Sequence, residues 1–89
     1  MASFSVEINR SAAMELRQLP EPERTQLVAL ISGLARDPRP AGVQKLRGFE
    51  SIYRLRMGSY RVVYEIIDQK LIIIVVKVGH RKDVYRGLK

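Results

Sequence analysis

The chain has 89 residues, of which 46% are hydrophobic and 28% charged, so it can close one core, and residues 1–89 are predicted to form a single domain. It contains no cysteine and one histidine, which excludes disulfides and cysteine or multi-histidine zinc sites, so we expect no metal or cofactor. The longest apolar run has six residues and the N-terminus lacks a signal-peptide pattern, which favours a cytoplasmic protein with no membrane partner.

Positive charge is concentrated in the second half of the chain. The formal net charge is +7. Residues 1–42 contain five Lys or Arg and five Asp or Glu, whereas residues 43–89 contain eleven and four, so the second half carries the whole excess. Such a charge favours polyanionic partners, nucleic acid or an acidic protein, although a basic surface kept for solubility would also explain it.

A strand and two helices are predicted in the first half of the chain. Apolar residues alternate over residues 3–8, which is the pattern of a half-buried strand. A short helix follows, capped by Asn9 or Ser11 and ended by Pro20. A second helix begins near Pro22 and carries an apolar stripe. Because that stripe must be buried, we expect an antiparallel helical hairpin packed on a sheet.

Three further strands are predicted because the apolar period changes to two after Ile52. They cover residues 52–57, 60–67 and 71–78, and residues 39–50 are expected to be loosely structured. The last strand is apolar at nearly every position, so both its faces should be covered and it should lie centrally in the sheet. The predicted fold class is α+β, a small β-α-α-β-β-β domain with an antiparallel sheet and the two-helix hairpin packed on one face.

A two-residue hairpin at Gly58-Ser59 would place arginines opposite one another. In that register Arg56 faces Arg61, and Arg54 lies on the same face. Directly opposed like charges destabilise a sheet by up to about 1 kcal/mol, which a bound anion would relieve. Guanidinium groups bind phosphate oxygens in a bidentate manner. We therefore predict a phosphate site on the face that the helices leave uncovered, with flexible arginines on a solvated face as the alternative.

Four segments resemble motifs of the RelE/ParE superfamily of toxins. They are Lys45-Leu46-Arg47-Gly48, Tyr53-Arg54-Leu55-Arg56, Gly58-Ser59-Tyr60-Arg61-Val62-Val63-Tyr64 and Val78-Gly79-His80-Arg81-Lys82-Asp83-Val84-Tyr85. With the order of elements, they make the whole chain similar to RelE toxins of type II toxin-antitoxin systems. The resemblance implies a RelE-like microbial ribonuclease-type fold. It also implies a ribosome-dependent, metal-independent endoribonuclease that cleaves messenger RNA in the A site and inhibits translation.

The resemblance assigns chemical roles to basic residues and one tyrosine, which support attack of a ribose 2′-hydroxyl on the adjacent phosphate. The matching positions are Arg54, Arg56, Arg61, Arg81 and Tyr85. Some relatives have lysines on the strand where this chain has arginines, and arginine cannot replace a neutral lysine as base. Tyr85 could take the 2′-hydroxyl proton, with its phenolate favoured by the guanidinium groups, or it could stack on a nucleobase.

The residues around this set have predicted roles too. Arg81 is expected to stabilise charge on the leaving 5′-oxygen. His80 is a possible acid or base, although strand alternation points it away from Arg81 and favours a structural histidine. Contacts to RNA phosphates, including those of 16S ribosomal RNA, are expected from Lys45, Arg47, Lys82 and Arg86.

Two other functions fit the same residues. A ParE-like toxin has this fold and the Gly-x-Tyr-Arg hairpin but inhibits DNA gyrase without cleaving RNA, and it would not need Tyr85. A non-catalytic RNA-binding module needs only basic strands on an open sheet. A toxin of either kind implies a cognate antitoxin protein, whose partly disordered acidic segment would neutralise the basic surface.

Overall fold

The computed structural model describes residues 3–80. Over this range, one strand, two helices and a run of strands follow in the predicted order, which confirms the α+β class. The elements are β1 (Ser5–Ile8), α1 (Arg10–Arg17), α2 (Glu21–Gly33), β2 (Gln44–Lys45), β3 (Ile52–Met57), β4 (Tyr60–Ile67) and β5 (Ile72–His80), with a 3-10 turn at Asp68–Lys70. The two-residue strand β2 was not predicted, because residues 39–50 lack the alternation of a longer strand.

The five strands of this range form one sheet in the order β1-β5-β4-β3-β2. The β3-β4-β5 meander is antiparallel, as predicted, and β5 is an interior strand between β1 and β4, although the middle strand of the five is β4. The prediction of a wholly antiparallel sheet was wrong for β1, which pairs with β5 in parallel, so that Ser5 lies opposite Ile72. The helical hairpin lies between β1 and the rest of the sheet in sequence, and this long connection allows the chain to return in the parallel direction.

The two helices are short and begin where the sequence places caps. The Asn9 side chain accepts a hydrogen bond from the Ala12 amide at 2.9 Å, which satisfies one of the free N–H groups at the start of α1. Pro22 occupies the first turn of α2, beside Glu21 and Glu23 at the positive end of the helix dipole. Within residues 3–80, neither helix is long and apolar enough to cross a membrane.

The core lies between the helical hairpin and one face of the sheet. Leu27 of α2 and Ala12 of α1 are fully buried against Val62 and Tyr64 of β4. Tyr53 and Met57 of β3 pack against this cluster, as expected for the face opposite the arginines. The prediction that both faces of β5 are covered was right for the face towards the helices, whereas Ile72 and Ile74 on its other face are only half-buried.

The segment after α2 is fixed to the sheet by two tyrosines and one arginine. Tyr64 donates a hydrogen bond to the Pro38 carbonyl at 2.7 Å. Arg39 forms an ion pair with Asp68 at 2.8 Å and lies over the Tyr53 ring, 5.1 Å from its centroid. The hydrogen bond from Arg39 holds the pKa of Asp68 below its usual value. Arg39 is therefore engaged in the fold and does not belong to the predicted phosphate site.

Tyr64→Phe should lower the free energy of unfolding at neutral pH by about 1–3 kcal/mol, because the Pro38 carbonyl loses its partner. Burial also raises the pKa of Tyr64 to about 12, whereas an unfolded tyrosine ionises near pH 10. The folded state then holds a proton that the unfolded state has lost, so stability is full below pH 10 and falls towards pH 12. Urea unfolding from pH 7 to 12 should show the difference between the two proteins shrinking above pH 10.

Tyr60→Phe is the matched control, since the Tyr60 hydroxyl has no hydrogen-bond partner within residues 3–80. It should change the stability little at any pH. Equal losses in the two variants would contradict the assignment to the Pro38 contact.

Candidate functional site

The β3-β4 hairpin has the register that the sequence predicts. Gly58 has φ of 58° and is followed by Ser59 with no positive φ, the pattern of a two-residue type II′ turn. Met57 pairs with Tyr60 and Arg56 pairs with Arg61. The assumption on which the arginine pair rested is therefore confirmed.

Three arginines share the face of the sheet away from the helices, which we call the arginine face. Arg56 and Arg61 are direct cross-strand partners, and Arg54 is the partner of Val63, two residues from Arg61 along β4. Directly opposed side chains in an antiparallel pair have Cβ atoms about 4.5–5.5 Å apart, and diagonal ones about 7–8 Å. The register thus places the Cβ atoms of three arginines close together on one face, at a spacing that arginine side chains can bridge.

Arg61 is buried, with 8% of its surface exposed. Its Nε and Nη1 atoms are shielded from solvent and have no hydrogen-bond partner. This corrects the expectation of an uncovered face, because Val63 on the same side of β4 is also fully buried. Strand alternation reveals which face a residue lies on, but it does not reveal what covers that face.

A buried guanidinium with two unpaired donors is unfavourable unless something binds to it. Each unpaired buried donor costs about 1–3 kcal/mol, and a buried cation is normally paired with an anion. Arg56 lies directly opposite and adds a second positive charge. A phosphate group would accept hydrogen bonds from Arg61 and neutralise both charges, so the arrangement is suited to binding a phosphodiester.

The other two arginines of the arginine face differ in their surroundings. Arg54 is half-buried and hydrogen bonds through Nη2 to the Gln44 side-chain oxygen of β2, its cross-strand neighbour. Arg56 is exposed. Sequence reasoning missed Gln44, because a two-residue edge strand has too few residues to show alternation.

On the strand that flanks β4 on the side away from β3, the cross-strand partner of Arg61 is a glycine, Gly79 of β5. A Cβ at Gly79 would meet no atom within 4 Å among the residues described. Among residues 3–80, the glycine thus leaves the β5 side of Arg61 without a side chain, and a larger residue at position 79 would extend along the same face as Arg61. The sequence analysis included Gly79 in the Val-Gly-His-Arg segment, but it did not predict that Gly79 pairs with Arg61.

His80 does not lie with the arginines. It pairs with Tyr60, whose ring packs against the core, and the two rings meet edge to face with centroids 5.9 Å apart. Cross-strand partners share a face, so His80 lies on the helix side of the sheet, and Arg61 lies on the other side. This position favours a structural histidine over an acid or base at the arginine face.

The predicted rim is only partly described. Lys45 is exposed but pairs with Tyr53, which places it on the helix side rather than beside Arg54. Arg47 is exposed in the segment between β2 and β3. The remaining predicted site residues lie outside the described range, and they are Arg81, Lys82, Tyr85 and Arg86. Within residues 3–80, no group of three or more His, Cys, Asp or Glu is placed to hold a metal ion.

Comparison with known proteins agrees with the resemblance found in the sequence. The family model described as the ParE toxin of the type II toxin-antitoxin system, parDE, matches residues 6–85. The mRNA interferase toxin RelE of Escherichia coli is 32% identical over 82 residues, covering 90% of this chain and 85% of that protein.

Solved structures of toxin-antitoxin complexes have the same fold. The RelBE2 complex of Mycobacterium tuberculosis contains a chain that matches with a TM-score of 0.79 and 27% identity, covering 90% of this chain and 100% of the other. The intact E. coli RelBE complex matches with a TM-score of 0.76 and 32% identity, covering 86% and 95% of the two chains. The chain belongs to the RelE/ParE superfamily of type II toxin-antitoxin toxins.

Arg61→Leu should raise the free energy of unfolding of the ligand-free protein by about 1–3 kcal/mol, because it removes a buried charge with unpaired donors. Sulfate stabilises folded proteins in general because it is excluded from their surface, so as a phosphate mimic it should raise the melting temperature of the unaltered protein more than that of Arg61→Leu. The measurement is thermal unfolding in sulfate and in chloride at equal ionic strength.

Arg17→Leu on α1 is the control, since it removes the same charge from an exposed helix position. It should keep the full sulfate response. A loss of stability in Arg61→Leu, or an unchanged sulfate response, would contradict an anion site at Arg61.

Proposed function

We propose that this toxin is a metal-independent endoribonuclease that cleaves messenger RNA in the ribosomal A site and so stops translation. The observation that supports it most directly is the buried Arg61, with two unpaired donors and Arg56 opposite. The E. coli relative named mRNA interferase supports the same activity. A phosphodiester is the anion that this reaction brings to the arginine face.

The proposed reaction uses the 2′-hydroxyl of the RNA itself. The 2′-oxygen loses its proton and bonds to the adjacent phosphorus, and the bond from phosphorus to the 5′-oxygen breaks. That oxygen takes up a proton, and the products end in a 2′,3′-cyclic phosphate and a 5′-hydroxyl. Arg61, Arg56 and Arg54 would bind the phosphate and stabilise the additional negative charge of the pentavalent intermediate, which is the main contribution that fixed cations can make.

Proton transfer is assigned to residues after β5. The arginines cannot accept the 2′-hydroxyl proton, because a guanidinium does not deprotonate in proteins. His80 lies on the opposite face of the sheet from Arg61. Tyr85 is therefore proposed as the base and Arg81 as the group that stabilises the leaving 5′-oxygen, following the family resemblance.

The partner that restrains the toxin is proposed to be a cognate antitoxin. Related toxins have been solved as complexes with their antitoxins. The excess positive charge in residues 43–89 would attract an acidic segment of such a protein. Its binding would neutralise the arginine face and keep RNA away from it.

A gyrase inhibitor of the ParE type is the second candidate, because the matching family model is that of the ParE toxin. The two activities separate in a pair of assays. Cleavage mapping of a reporter message, with and without ribosomes, tests the nuclease. A supercoiling assay with purified gyrase tests the other, and gyrase inhibition without cleavage would replace the proposal.

Arg61→Ala and Arg81→Ala should each lower messenger RNA cleavage by about 100-fold or more, the effect of losing one group that stabilises transition-state charge. Arg17→Ala, on an exposed helix face, should cleave at the unaltered rate. Full activity in either of the first two variants would remove that residue from the site.

Tyr85→Phe tests the proposed base. If the phenol takes the 2′-hydroxyl proton, single-turnover cleavage should fall by about 100-fold while RNA binding is kept, since the ring remains. A near-unaltered rate in Tyr85→Phe, with a weakened affinity in Tyr85→Ala, would assign the ring to base stacking instead.

A further inference from the structure

The end of β5 extends beyond its neighbour β1. β1 stops at Ile8, opposite Val75, and the Asn9 amide donates to the Val75 carbonyl at 3.0 Å. β5 continues to His80. The backbone groups on this edge of β5 therefore lose their strand partner just before the segment that carries Gly79 and leads into Arg81.

Glu15 of α1 occupies the position that β1 leaves empty. Its Oε1 atom accepts a hydrogen bond from the Val78 amide at 2.8 Å, and its Oε2 atom lies 3.1 Å from Lys77 Nζ. One carboxylate thus contacts two consecutive residues of β5. A charged acceptor on a backbone N–H makes a stronger bond than a neutral one, so α1 replaces the missing strand at this point.

A bulge in β5 makes the contact between Glu15 and Val78 more important for holding the end of the strand. The register between β4 and β5 shifts between Val63 and Tyr64, which pair with Lys77 and Val75, so Val76 has no partner on β4. A bulge interrupts the ladder and bends the strand. Among residues 3–80, the part of β5 beyond the bulge pairs with β4 alone, and Glu15 provides a second contact that holds it.

The contact with Glu15 holds the part of β5 that lies beside the buried Arg61. Val78 precedes Gly79, the cross-strand partner of Arg61, and Gly79 is two residues before Arg81 in the chain. We infer that Glu15 is a positioning residue for RNA cleavage: by holding Val78, it sets the backbone at the β5 edge of the arginine face. This inference rests on the proposed nuclease function.

Three substitutions of Glu15 separate its possible contributions. Glu15→Gln keeps an oxygen that can accept from Val78 but removes the charge. Glu15→Asp keeps the charge but shortens the side chain by one methylene and withdraws the acceptor. Glu15→Ala removes both, and Lys77→Met removes only the ion pair. Glu7→Ala, an exposed carboxylate on β1, is the control for the loss of one negative charge.

Hydrogen exchange of the Val78 amide tests the contact itself, in the full chain and well below the melting temperature of each variant. Glu15→Ala and Glu15→Asp should speed this exchange by about 10-fold or more, because the amide loses its partner. Glu15→Gln and Lys77→Met should stay within a few-fold of the unaltered protein. An unchanged exchange rate in Glu15→Ala would overturn the inference. If Glu15→Ala does not fold, the exchange rate of Glu15→Asp decides the question in its place.

Single-turnover cleavage of ribosome-bound message tests the consequence. Glu15→Ala and Glu15→Asp should lower the cleavage rate constant by about 10- to 100-fold with the half-saturating toxin concentration unchanged, since misplaced groups slow the chemical step rather than binding. Glu15→Gln should restore the rate. The positioning role would be overturned if Glu15→Ala cleaved as fast as Glu7→Ala. It would also be overturned if Glu15→Ala changed only the half-saturating toxin concentration.

The two proposals fail in different ways. An unaltered protein that cleaves no message would overturn the nuclease function, whatever the Glu15 variants do. Cleavage by the unaltered protein, with an unchanged rate in Glu15→Asp and Glu15→Ala, would leave the nuclease function standing and remove Glu15 from it.

Discussion

The register of the β3-β4 hairpin is the constraint on which the other features of the site depend. Side chains alternate across a sheet, so a slip of β3 by one residue against β4 would turn Arg56 towards the core and Leu55 out of it, and would separate Arg56 from Arg61. The two-residue turn with positive φ at Gly58 prevents that slip. The apolar face that packs on the helices and the cationic face opposite are therefore fixed by the same turn.

Charge on the arginine face opposes stability and supports binding. Arg61 has two unpaired buried donors and Arg56 lies directly across from it, an arrangement that packing alone would not favour. Strain of this kind in an otherwise well-packed sheet is characteristic of sites that wait for a ligand. The ligand-free protein holds this unfavourable arrangement, and a bound anionic group would relieve it.

Much of the fold followed from local patterns, and the rest depended on distant contacts. The Asn9 cap, the Gly58-Ser59 turn and the interior position of β5 could be predicted, because each depends on a few neighbouring residues or on composition. The parallel pairing of β1, the burial of Arg61 and the contact of Glu15 with Val78 were not, since each joins residues far apart in the chain. The roles of Arg81 and Tyr85 stay predictions from the resemblance.

The parallel pairing of the first strand with the last also governs when the molecule can form. Ser5 to Ile8 find their partners only in Ile72 to Val75, and those partners also separate β1 from β4. During synthesis, β1 therefore has no strand partner among residues 3–80 until residues 72–75 have been made, and such long-range pairing is slow to form. Nascent chains that end before these residues lack both β5 and the pairing that joins β1 to the rest of the sheet.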